Sequence, residues 1–100
     1  MLVHNVFVTL KDGSSESVDS FLAASREFLE ACPEVVFSTC GTLVEDLVRP
    51  VNDRDFHVGI HVVFMDRGTH DAYQLSDLHQ KFIADHKDGW AQARVFDTDC

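Results

Sequence analysis

Several things are scarce in this sequence, and each scarcity closes off a class of function. Only eight of the hundred residues are Lys or Arg, scattered singly, against 17 Asp and Glu, for a net charge of −9. No basic stripe is available for nucleic-acid phosphates or an anionic membrane surface, so neither partner is expected. The three cysteines, Cys32, Cys40 and Cys100, are odd in number and lack the close pairing that zinc sites use. They read as reduced thiols, Cys32 and Cys40 as small core residues, and the expected location is cytoplasmic. No uncharged run approaches the ~20 residues of a membrane-crossing helix. No basic segment followed by an apolar one marks a signal peptide after Met1. Internal repeats, low-complexity tracts and linkers are also missing.

What is present is ordinary globular composition, 45% hydrophobic and 25% charged, read as one domain over 1-100. A chain of this size buries roughly 60–70% of its unfolded surface, so its own core is modest and self-association would extend it.

Residues 2–10 alternate as a strand, with Leu2, His4, Val6, Val8 and Leu10 on one face and Val3, Asn5, Phe7 and Thr9 on the other. Asp12-Gly13 makes a turn, and Ser14 or Ser15 can cap the next element. Val18, Phe21, Leu22, Ser25, Phe28, Leu29 and Cys32 then form a single helical stripe, stopped by Pro33. A second strand is expected over 35–44, with a bulge or bend at Gly41, and a loop over 45–54. The third strand, expected over 55–66, is apolar at Phe56, Val58, Ile60, Val62 and Phe64. Its other alternation carries His57, Gly59 and His61. Thr69 is a plausible cap for a short helix through Tyr73. A last strand is expected over 90–97, with a frayed tail after it.

The stretch from Tyr73 to Trp90 organises the rest. Tyr73 and His79 are six residues apart, about 600° of helical turn, and a straight helix would aim them roughly 120° apart. A break at Ser76-Asp77 lifts that constraint. Asp77 as N-cap with Gln80 completes a capping-box pattern. His79 then lies in the first turn, where the dipole disfavours an imidazolium. A neutral imidazole near a tyrosine hydroxyl suits proton abstraction beside a carbonyl. The plainer alternative is a helix-end histidine and a tyrosine at the edge of the core.

The order β-α-β-β-α(α)-β predicts an α+β fold, a ferredoxin-like βαββαβ plait with a four-stranded antiparallel sheet and helices on one face. The uncovered face is too apolar for water, which favours a homodimer packed through the sheet face.

These residues resemble the stress-response dimeric α/β barrel family, abbreviated Dabb, over nearly the whole chain. The likeness rests on His4-x-Val6-x-Val8 and the first helix ending at Pro33. It extends through Phe56-His57-Val58, the run Tyr73…His79…Phe82, and the closing Trp90…Val95-Phe96-Asp97. In the family the second helical region carries His-Pro-x-His. Here it reads Ser76-Asp77-Leu78-His79, so any role of the first imidazole is lost. The resemblance implies a dimeric α/β barrel. Through the family's olivetolic acid cyclase branch it implies a cofactor-free, aldol-type ring closure of a linear polyketide. On that analogy His79 and Tyr73 are the catalytic pair. His4 and His57 line the pocket, Ser25 replaces a pocket tyrosine, and Gly59 with Ser25 leaves volume for a hydrophobic small molecule.

A non-catalytic stress-response dimer or ligand-binding protein is the alternative. A metal reading on His57 with His61, or His79 with His86, lacks Cys or acidic partners at zinc-like spacing, so neither metal nor cofactor is expected. A monooxygenase reading rests on fold alone.

Overall fold

The computed structural model describes residues 1–100. Strand β1 (Leu2–Leu10) leads into α1 (Ser15–Ala31), and β2 (Phe37–Thr42) and β3 (Val58–Phe64) follow. Two short helices, α2 (Arg67–Leu75) and α3 (Asp77–His86), a 3₁₀ turn at Lys87–Gly89 and β4 (Trp90–Asp99) complete the chain. The strands form one antiparallel sheet in the order β2-β3-β1-β4. No helix is long and apolar enough to cross a membrane.

The predicted four-stranded plait is present. The predicted barrel is not: the sheet is open, with β2 and β4 as its two edges. Four strands are too few to close on themselves, since small barrels take about eight. The edges are separated by the full width of β3 and β1 and differ in length, six residues against ten.

One face of the sheet carries the core. Leu2, Val8 and Leu10 of β1 and Val58, Ile60, Val62 and Phe64 of β3 pack under Phe21 and Leu29 of α1 and Cys32 just after it, with Tyr73 and Phe82 from α2 and α3. Alternation on the strands and the 3–4 spacing on α1 account for the strand and α1 members of this set. Ser14 is the cap of α1, its Oγ accepting from the Ser17 amide at 3.2 Å. The other face carries Val3, Asn5, Phe7 and Thr9, with Phe37 and Phe96 about half exposed. Phe7 sits edge-on to Phe56 and Phe96, at ring distances of 5.0 and 6.1 Å.

Local expectations needed correction at the element ends. Strand β2 is shorter than its apolar run, and Gly41 pairs in unbroken register with Gly59, so there is neither bulge nor bend. Strand β3 begins only at Val58, which lengthens the loop before it. The cap of α2 is Asp66, whose carboxylate accepts from the Thr69 amide at 2.8 Å, so Thr69 is the donor and not the cap. The expected frayed tail is paired: Thr98 and Asp99 continue the ladder opposite Val3 and Leu2. Beyond them Cys100 and Met1 exchange backbone hydrogen bonds.

Candidate functional site

Ser76 builds the corner on which the site depends. Its extended backbone (φ −64°, ψ 151°) ends α2 and starts α3. Its hydroxyl donates to the Tyr73 carbonyl at 2.8 Å and accepts from the His79 amide at 3.1 Å. Ser76, not Asp77, is therefore the cap, and the expected capping box is not formed, since the residue three on from Ser76 is His79. Gln80 instead donates through Nε2 to the Leu75 carbonyl at 2.9 Å, bracing the same corner. The break turns both side chains inward, and the Tyr73 and His79 rings lie 4.8 Å apart at 60°.

Both rings face a cavity of about 160 Å³ between the helices and the sheet. Val6, Val8 and Ile60 form its floor, and Phe28 and Phe82, stacked at 4.3 Å, stand beside His79. Trp90, Ala93 and Val95 of β4 also line the cavity, and Val95 is half exposed. The volume is close to the ~150 Å³ of a dry cavity that holds one benzene ring.

Burial, followed by the nearby His4, holds the His79 pKa below the usual 6.5, while the Gln74 carbonyl opposes the shift. The direction is the one expected from the helix dipole, but its causes are burial and the neighbouring histidines. Burial likewise pushes the Tyr73 phenol well above its usual 10. The pair is thus a neutral imidazole, able to accept a proton, beside a protonated phenol, able to donate one.

Four of the six anticipated site residues, His4, Ser25, Tyr73 and His79, come together on this cavity. Ser25 is fully buried, and its hydroxyl donates to the Phe21 carbonyl at 2.8 Å, which leaves mainly carbon surface toward the cavity. His57 and Gly59 are elsewhere. His57 precedes β3, accepts from the Leu10 amide at 2.9 Å, and lies so close to Gly13 that a Cβ there would meet its Nε2 at 2.8 Å. Gly59 opens toward the uncovered sheet face, where the Phe7 ring lies over it.

Two neighbours escaped the sequence reading. Asp97 Oδ1 contacts His4 Nδ1 at 2.5 Å, and His70 packs edge-on to His4 at 5.3 Å between ring centres. His70 was readable as the residue one turn before Tyr73 on the same helix face. Asp97 is 93 residues from His4 and becomes visible only through the β1–β4 register.

Residues 2–100 match the model of the Stress responsive A/B Barrel Domain, Dabb. The chain belongs to the Dabb family. A Dabb protein with a ferredoxin-like fold from Mesorhizobium loti superposes with a TM-score of 0.81 at 22% identity, covering 99% of this chain and 95% of the other. A dimeric ferredoxin-like protein of unknown function from Thermobifida fusca gives 0.79 at 15% identity, with coverages of 99% and 90%. The hydroxynitrile lyase of Passiflora edulis gives 0.75 at 21% identity, with coverages of 97% and 90%. At these identities the likeness establishes the Dabb fold alone. No curated protein matches the sequence significantly.

Proposed function

We propose that this Dabb domain catalyses cofactor-free proton transfer on a small hydrophobic carbonyl compound, the enol-forming step of an aldol-type closure of the polyketide-cyclase kind. His79 is the general base that takes the acidic C–H proton. Tyr73 donates to the developing enolate oxygen, and His4 and Ser25 complete the wall. The observation that carries this reading is the 4.8 Å pairing of a ring kept neutral with a protonated phenol on a cavity of about 160 Å³. That volume favours short β-keto acids or single-ring products over long-tailed ones. The fold relative named as a hydroxynitrile lyase lends support only in that the same fold there carries an enzyme.

His79→Ala and Tyr73→Phe, assayed with the wild type on linear tri- and tetraketide acids, are the test. A positioned base is worth about 10²–10⁴-fold in rate. Product distributions identical among wild type, variants and a protein-free control would end the proposal. A small-molecule-binding dimer without turnover is the second reading, favoured by the Phe28–Phe82 stack, which makes much of the wall aromatic carbon.

We further propose a homodimer packed through the uncovered sheet face. The exposed Phe37 and Phe96 beside Phe7 support it, as does the fold relative described as dimeric.

A further inference from the structure

We propose that His4, Asp97 and His70 form a site for a divalent transition cation of the zinc type, separate from the Tyr73–His79 pair. One donor atom from each residue lies within 4.8 Å of the others. They come from β1, β4 and α2, so the fold itself collects them, and no spacing along the chain announces the set.

Three further observations point to a cation. The first is at His70. Its Nδ1 is taken up by the Asp71 carboxylate at 3.0 Å, while its Nε2 is buried without any hydrogen-bond partner. A carboxylate behind one imidazole nitrogen, with the other left bare, is the arrangement that orients a metal-binding histidine and raises its basicity. A buried nitrogen without a partner is otherwise a cost with no return.

The second is the contact between His4 Nδ1 and Asp97 Oδ1 at 2.5 Å. The β1–β4 register thus already brings together a nitrogen and an oxygen donor of the kinds such a cation takes. The third is access. Leu2, Arg67, His70, Asp97, Thr98 and Asp99 surround a surface opening, and the Asp97 side chain is 46% exposed and free to turn.

Donors at about 2.0–2.2 Å around a tetrahedral centre stand roughly 3.4 Å apart, so the three must close from their present spread and His4 must part slightly from Asp97. Rotation of the half-exposed Asp97 side chain supplies most of this movement, because His70 is largely buried and held by Asp71. Two imidazoles and one carboxylate match borderline cations such as Zn²⁺ and leave coordination positions open for water or an oxygen-bearing ligand. His4 also lines the cavity, so a cation held there would stand at its wall.

The test uses untagged protein freed of metal by chelation, titrated with Zn²⁺ by calorimetry and with Co²⁺ by visible absorption. One cation per chain should bind, with a tetrahedral-type Co²⁺ spectrum. His70→Ala and Asp97→Asn should each weaken Zn²⁺ by about tenfold or more, and Asp71→Asn, which touches no cation, by about tenfold through His70. Asp99→Asn, an acid at the same opening outside the set, should leave affinity unchanged. Asp97→Asn keeps the side-chain shape, so it decides the matter if His70→Ala fails to fold. No Zn²⁺ binding by the wild type, or equal affinity in wild type and Asp97→Asn, overturns the assignment.

Discussion

Ser25→Leu offers a direct way to ask whether the hollow beneath α1 exists for function or for stability. Ser25 is fully buried on the cavity wall, and the substitution replaces its hydroxyl with three carbons. At about 0.8 kcal/mol per buried methylene the gross gain is about 2.4 kcal/mol. Ordering the leucine removes about 0.5–1 kcal/mol of it. The lost hydroxyl orphans nothing, because the Phe21 carbonyl it contacts sits inside α1 and accepts a backbone amide as well. The net expectation is a gain of about 1–2 kcal/mol, and a domain of this length moves about 4–8 °C in Tm per kcal/mol. Thermal melts of wild type and variant at equal protein concentration measure it, equal because self-association makes Tm concentration-dependent. Turnover or ligand binding should fall as Tm rises, the usual exchange when a functional void is filled. A Tm lowered by several degrees would mean that the space cannot accept three carbons, and the account of an open, substrate-sized hollow would fail.

The remaining expectations concern charge, association and the corner. Because the folded chain holds His79 below 6.5, the unfolded chain binds the proton first as pH falls. The stability tied to this group is therefore complete above pH 6.5 and is lost as pH drops through the folded value. Urea titrations between pH 7.5 and 5 should show a steeper decline for wild type than for His79→Gln, and parallel curves would refute it. Phe96→Asp should halve the sedimentation mass by putting a charge into the proposed sheet-to-sheet contact. A wild type already of single-chain mass at micromolar concentration would dispose of that contact. Ser76→Ala should cost about 1 kcal/mol as a lost cap and slow turnover by more than Gly89→Ala, whose new Cβ meets nothing within 4 Å. Gly13→Ala should destabilise by about 1 kcal/mol, since its Cβ displaces the His57 ring from the Leu10 amide; unchanged urea midpoints would count against it.

Much of this molecule was legible in the sequence because its elements obey simple periods. The α1 stripe and the alternation Val58, Ile60, Val62 and Phe64 marked the core. Phe56, expected on the same face, instead precedes β3 and packs against Phe7 on the other one. Tyr73 and His79 were readable as a pair once a helix break was placed between them. The element ends were less legible, for a local reason. Ser76 and Asp77 are both good caps, as are Asp66 and Thr69, and only the hydrogen bonds decide which of two adjacent polar residues turns inward. Gly41 carried a breaker signal, yet a glycine opposite another glycine in mid-sheet needs no distortion. His57 and Gly59 were assigned to the cavity by family likeness, although their own alternation on the third strand pointed them away from the helices. Asp97 could not be found from spacing, because its partnership with His4 is created by pairing the two ends of the chain.

The Ser76 hydroxyl answers to both arms of a bend, taking its acceptor from the residue that carries the phenol and its donor from the residue that carries the imidazole. That single oxygen acts as a pivot pin. Shortening, lengthening or loosening it retunes the span between phenol and imidazole while both side chains stay as they are, so variants at position 76 are the place to begin reshaping this cavity.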